Sequence, residues 1–300
     1  MIVSSTNKLN IYGYDDNWDV HFVKEFMDGL PQFGITPTFI NKKKYSRHIT
    51  YPYLRRCIII ENEDESFYII NHCDGHTSYN VFHNAMNDVK CLKVFQCQFR
   101  KGDNHEKVSP FTYLEKNALE FRKLSPNYRN CKKTSDRLFF HGDLKSNDNR
   151  KKRAEVIPLL DDILISNWSE LVNHETFLKE MAESRIALSI PGNSNFCHKE
   201  IEGFGLGVAV LMPKLLNSYY NDLIPNHHYI SVDINWEMEN STIISKAIQS
   251  RFSEVKNDHD FLNSVVSNGF HWYEHNVLTP SPTRIFLEET DLFRRNKEST

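Results

Sequence analysis

Residues Ser189 to Met212, SIPGNSNFCHKEIEGFGLGVAVLM, decide the fold class of this 300-residue chain. An apolar strand runs into Pro191-Gly192, a polar loop Asn193 to Asn195 follows, a helix begins near Cys197, and Gly207 ends it before the next apolar run. A strand, a glycine loop and a helix N-terminus together make an anion site, because unpaired N–H groups and the helix dipole favour phosphate there. Gly192 and Asn193 are the loop candidates. At about 100° per residue, Cys197, Ile201, Phe204 and Val208 share one side of the helix, and Lys199 and Glu202 lie opposite. A lysine there neutralises a diphosphate, and a carboxylate three residues on accepts from ribose hydroxyls. The plainer reading is an exposed i,i+3 ion pair worth a few tenths of a kcal/mol. Gly203, Gly205 and Gly207 weigh against it, since each costs a helix about 1 kcal/mol and so points to close approach by backbone or ligand.

The strand–helix rhythm extends both ways from this window. Upstream, Leu138 to Phe140 is a strand, Asp148 to Leu160 a helix, Ile163 to Ile165 a strand, His174 to Glu183 a helix and Ile186 to Ile190 a strand. Downstream come a strand at Tyr229 to Val232 and helices over Ser241 to Phe252, Asp260 to Glu274 and Ser281 to Phe293. Such alternation is the signature of α/β architecture with parallel sheets. In the first half, short apolar runs recur at Leu9 to Tyr12, Thr38 to Ile40, Cys57 to Ile60, Phe67 to Ile70 and Leu92 to Phe99. Helices are expected over Asp19 to Leu30, Tyr79 to Met86 and Thr112 to Phe121. Acidic Glu61 to Glu65 makes the third and fourth runs either a hairpin or the flanks of a solvated loop. The polar stretch 123–137, KLSPNYRNCKKTSDR, has Pro126 and no sustained period, and reads as a linker between domains 1–130 and 131–300.

Bulk composition excludes several classes. A net charge of -3 supplies no global field for nucleic acid or anionic membrane, so a nucleic-acid partner is not indicated. No run approaches the roughly 20 apolar residues of a membrane span, and the N-terminus lacks a signal pattern, so a cytoplasmic location is expected. The six cysteines fall mostly in apolar runs and form no CxxC pair; they read as reduced, buried thiols rather than disulfides or zinc ligands.

A second glycine follows a strand at Leu138-Phe139-Phe140-His141-Gly142-Asp143, with Arg150-Lys151-Lys152-Arg153 beyond it. Gly142 lets the backbone turn tightly under a phosphate, and Arg150 or Arg153 can reach it. The alternative is a solvated basic turn on a surface helix.

On these residues the chain resembles inverting GT-B glycosyltransferases, especially exostosin-type enzymes and the protein O-glucosyltransferases. Cys197-His198-Lys199-Glu200-Ile201-Glu202-Gly203 overlays their donor motif, with lysine where arginine is usual, which gives up bidentate phosphate contact. Leu138 to Asp143 and the basic residues after it are similar to a second motif, and Gly269 to Asn276 to the terminal helix segment that in such folds crosses back to brace the first domain. The resemblance covers roughly the C-terminal half. It implies two Rossmann-like domains facing a cleft, an N-terminal acceptor side and a C-terminal side that binds a nucleoside diphosphate sugar, with Lys199 on the diphosphate and Glu202 on the ribose. UDP-linked glucose or xylose is the implied donor, a glycan hydroxyl the default acceptor, and no tightly bound cofactor is implied.

Inverting transfer needs a base at a strand end facing the acceptor. Asp74, in Asn71-His72-Cys73-Asp74-Gly75-His76, is the first candidate; Asp15 and Asp16, after the first strand, are the alternatives. All three are also plausible helix caps or turn residues. His227-His228 point in opposite directions on an extended chain, and no HExxH, DxD or EF-hand spacing accompanies them, so no metal site is expected. Competing functions are a non-catalytic nucleotide- or sugar-binding protein, a transferase acting on a modified nucleobase, and a dinucleotide oxidoreductase or epimerase. The last is disfavoured because IYGYDDNWD stands where GxGxxG would follow the first strand.

Overall fold

The structure is a computed structural model that describes residues 8–13, 24–41, 57–72, 82–102, 105–114, 118–144, 148–170, 172–192, 194–290 and 292. The chain forms two compact units. Unit 1 takes Met1–Ala118, Asn217–Asp222 and His275–Thr300, and unit 2 takes Leu119–Leu216 and Leu223–Glu274.

Unit 1 holds a six-stranded sheet in the order β2-β1-β3-β4-β5-β7. Its strands are β1 (Lys8–Gly13), β2 (Thr36–Asn41), β3 (Cys57–Glu61), β4 (Phe67–Asn71), β5 (Cys91–Gln96) and β7 (Val108–Pro110). A short β6 (Phe99–Arg100) pairs with β11 (Asn217–Ser218). The expectation of parallel sheets throughout is corrected here, because β3 runs antiparallel to both neighbours. The cause is local: Asn62 N donates to Ser66 O at 2.8 Å and Glu65 takes φ 65, so 61–66 turns back too tightly for a crossover.

Alternation along β3 and β4 sends Ile58, Ile60, Tyr68 and Ile70 to one face and Cys57, Ile59, Phe67 and Ile69 to the other, and each face enters its own apolar cluster. The first face is covered by helical residues 24–29, by the 3-10 turn Leu30–Phe33 and by the terminal helix Ser281–Glu289, whose Ile285, Phe286 and Leu287 join that cluster. Phe286 lies 5.1 Å from the Phe26 ring, 5.3 Å from Tyr68 and 5.4 Å from Phe95. The helix α1 (His83–Met86) covers the second face with Ala85 and Met86.

Unit 2 is a four-stranded parallel sheet, order β12-β10-β9-β8, built from β8 (Ser135–Phe139), β9 (Ser184–Leu188), β10 (Ala209–Pro213) and β12 (Ile230–Val232). Its helices are α2 (Ala118–Arg129), α3 (Asp148–Val156), α4 (His174–Glu183), α5 (His198–Gly205), α6 (Ser241–Val255) and α7 (His259–Asn276), the last running on into unit 1. The run read as a strand at Ile163 to Ile165 makes one parallel bridge, Leu138 to Leu164. The stretch read as a linker is instead helix and strand. Phe121 is fully buried against Tyr273, with ring centroids 6.0 Å apart, and Arg129 stacks 3.1 Å from the Phe270 ring centroid. Packing of that face overrides the helix-breaking signal of Pro126.

Candidate anion site at the ends of β8 and β9

In a parallel sheet every strand delivers its following loop to the same edge, and ligands of α/β proteins bind there. Gly142 follows β8 and Gly192 follows β9, so the loops that carry them leave adjacent strands. Arg153 from α3 and Lys199 from α5 come to the same place. A methyl group built on Gly192 would sit 2.7 Å from Arg153 Nη2, and one on Gly142 would lie 3.5 Å from both Arg153 Nη1 and Lys199 Nζ. Glycine at 192 therefore makes the room that the Arg153 guanidinium occupies, while a methyl at 142 would only touch the two cations and press on Phe140 at 3.1 Å.

Arg153 is buried; its Nε donates to Ile190 O at 3.1 Å, and Nη2 donates to the same carbonyl. That carbonyl anchors the guanidinium beneath the loop 190–192. Lys199 is half-buried as a residue, but its ammonium is enclosed and has no hydrogen-bond partner among the described residues. It stands 4.1 Å from the centroid of Phe140, a cation–π contact that offsets part of its desolvation. Burial, and then the neighbouring Arg153 charge, push Lys199 down to about 7. Two cations, one of them without a hydrogen bond among the described residues, are held together at a strand edge, and an anion placed between them relieves both costs.

The helix α5 differs from the amphipathic surface helix expected. Glu200, Ile201, Glu202, Gly203, Phe204 and Gly205 are all buried. Gly203 packs on β10, where a methyl would meet Val210 at 2.6 Å, and a methyl on Gly205 would meet Phe121 at 2.5 Å. Gly203 serves helix-to-strand packing, Gly205 packs the helix against α2 and α7, and Gly207 takes φ 63 to end the helix. At its other end Glu200 closes a capping box: its carboxylate accepts from Cys197 N at 2.8 Å and from Ser189 Oγ at 2.5 Å. Burial pushes the Glu200 carboxyl up against those two bonds.

Glu202 is buried rather than open. Its Oε1 meets His174 Nε2 at 2.6 Å, and His174 Nδ1 stands 3.4 Å from Glu120 Oε2. The Glu202 bond raises the His174 pKa against the opposing effect of burial. Sequence reading missed His174. It is the first residue of α4, next to the N-cap Asn173, and nothing in its own segment points to α5.

Of the other candidates, Asn193, Asp15, Asp16 and Asp74 lie outside the described residues, and so does the side chain of Arg150 on α3. The strands that precede the carboxylates are described. β1 and β4 run in the same direction with β3 between them, so both end at one edge of the unit 1 sheet. Five cysteines among the described residues are free thiols, three buried and two half-buried.

Unit 2 is thus an α/β unit with glycine loops after two adjacent strands and two cationic side chains held at those strand ends. No protein-family model and no curated protein matches it. Among solved structures, a glycosyltransferase from Rickettsia africae ESF-5 is similar over 74% of this chain and 68% of that one, at 15% sequence identity and a TM-score of 0.41. No described helix is long and apolar enough to cross a membrane.

Proposed function

We propose that unit 2 binds a nucleoside diphosphate sugar and that the chain is an inverting glycosyltransferase of GT-B type, moving the sugar to a hydroxyl acceptor. The observation that carries this reading is the enclosed Lys199 ammonium beside Arg153, without a hydrogen-bond partner among the described residues, between glycines that follow two adjacent parallel strands. The diphosphate lies between the two cations, with Gly142 and Gly192 giving its oxygens access to backbone N–H groups. Arg150 and Asn193 complete the phosphate contacts. Glu202 offers its second oxygen to the ribose while His174 holds the first.

In transfer, negative charge grows on the departing diphosphate as the glycosidic bond breaks. Lys199 and Arg153 do the electrostatic work there in place of a divalent ion. The general base is Asp74, with Asp15 and Asp16 as alternates, taking the acceptor proton as the hydroxyl attacks the anomeric carbon. The donor is a UDP-linked hexose or pentose and the acceptor a glycan hydroxyl.

A thermal-shift panel of nucleoside diphosphates and their sugars tests the reading, because ligand at 100 times its dissociation constant stabilises a protein by about 2.7 kcal/mol. Stabilisation by UDP that Lys199→Met abolishes is the expected result. Indifference to every nucleotide overturns it, and binding with neither donor hydrolysis nor transfer leaves a nucleotide-sugar-binding protein.

A further inference from the structure

The opposite end of the unit 2 sheet, where β8 and β9 begin, carries a second concentration of positive charge. Ser135 pairs with Ser184 and Leu138 with Ile186, so β8 spends one residue more than β9 over that span. This bulge sets Asp136 and Arg137 together opposite Arg185, where regular alternation would send them to opposite faces. The three residues line a cavity of about 160 Å³ with Lys256, at the C-terminal end of α6, and an apolar floor of Ile186 and Phe252.

Three cations and one carboxylate leave a surplus of two positive charges around this cavity. The internal contacts use little of that charge. Arg185 Nε stands 3.4 Å from Asp136 Oδ1, and Asp136 is itself 84% exposed. Arg137 Nη1 donates to Leu164 O at 2.9 Å. A guanidinium has five N–H donors, so these contacts leave several for a ligand. Lys256 Nζ lies 5.8 Å from the Phe252 ring centroid, drawn over the apolar floor. Packing alone would be served as well by neutral side chains, which would avoid the mutual repulsion of three like charges.

We infer that the cavity between the starts of β8 and β9 and the end of α6 is a second anion site, which takes a phosphate dianion through Arg137, Arg185 and Lys256. Its size fixes the ligand class. The space is well short of the roughly 300 Å³ at which pockets begin to take nucleotide-sized ligands, and suits a small anion such as a phosphoryl group. The occupant is free phosphate or the end of a phosphomonoester whose apolar part rests on Ile186 and Phe252.

Inorganic phosphate and phenyl phosphate, titrated at constant ionic strength by ³¹P NMR, test the site. Four proteins are compared: the wild type, Lys199→Met, which takes away the site at the opposite sheet end, and Arg137→Gln/Arg185→Gln and Lys256→Gln, each made in the Lys199→Met background. The inference expects Lys199→Met to keep a phosphate site, and each of the other two variants to bind at that site at least about tenfold more weakly. Tighter binding of phenyl phosphate than of phosphate identifies the monoester as the source; equal binding identifies free phosphate. Loss of phosphate binding in Lys199→Met overturns the inference, as do unchanged binding in the arginine and Lys256 variants and a wild-type protein that binds neither ligand. Lys256→Gln alters an exposed side chain, so it keeps the test valid should the double variant fold poorly.

Discussion

Unit 1 and unit 2 are both sheets flanked by helices, but they assemble their candidate sites differently. In unit 2 the loops after the adjacent strands β8 and β9 meet without an intervening strand, and Gly142, Gly192, Arg153 and Lys199 interlock within a few ångströms. In unit 1 the antiparallel β3 lies between β1 and β4, so the loops that carry Asp15, Asp16 and Asp74 start about two strand spacings apart, near 10 Å. A compact, buried charge cluster forms in the first arrangement. The second only starts the two loops apart, at the ends of β1 and β4. The unit 2 cluster residues are also packing residues, so their substitution affects stability as well as any ligand binding.

The largest expected effect falls on the unit 1 core. Phe286→Ala removes a ring that contacts Phe26, Tyr68 and Phe95, and should cost about 3 to 5 kcal/mol in denaturant unfolding. A loss under 1 kcal/mol would show that the terminal helix contributes little to unit 1.

Next comes the proposed base. Asp74→Asn should lower transfer by about 10²-fold or more with donor affinity unchanged, since it keeps size and most hydrogen bonds but cannot take a proton. Asp15→Asn and Asp16→Asn are measured beside it. Full activity in Asp74→Asn with failure of one of the others would move the base from the end of β4 to the end of β1.

Lys199→Ala should depress turnover more than donor affinity, because the charge on the leaving group grows in the transition state. Its pH dependence sharpens the test. In the ligand-free protein Lys199 releases its proton near pH 7, whereas an ordinary lysine holds it to about 10.5. Between those values the unfolded chain binds the extra proton, so the cost of burying Lys199 falls and stability rises with pH across that window. An anion needs the ammonium, so UDP affinity should fall as pH rises above about 7, by at most about tenfold per unit. Lys199→Met should flatten that profile, and an equally steep one in the variant would remove Lys199 from the site.

Smallest is the ribose contact. Glu202→Gln should weaken UDP by about tenfold, the value of one charge-assisted hydrogen bond. It retains the contact with His174, so the helix stays seated; Glu202→Ala would in addition take the partner away from His174 Nε2. His174→Gln is the companion: a reduced UDP affinity would show that the pair acts through the position of the carboxylate.

Several features were legible in the chain alone. The strand–glycine–helix order from Ser189 to Met212 and the glycine after Leu138 to Phe140 placed two loops at strand ends, because apolar runs and glycines report local backbone demands. The helix His174–Glu183 appears with the bounds read from its pattern, and the hairpin after Glu61 was one of two stated readings. Burial of α5 was not legible, since its wheel records which side chains are polar and not which neighbours enclose them. Glu202 looks like a surface residue until His174, 28 positions away, is brought against it. Pro126 and the polar run around it suggested a linker because a local signal carries no information about Phe121 and its distant partner Tyr273. The sequence determined which residue types stand at the strand ends; the tertiary structure decided which meet, because charge pairing, desolvation and packing depend on distances that only the folded chain sets.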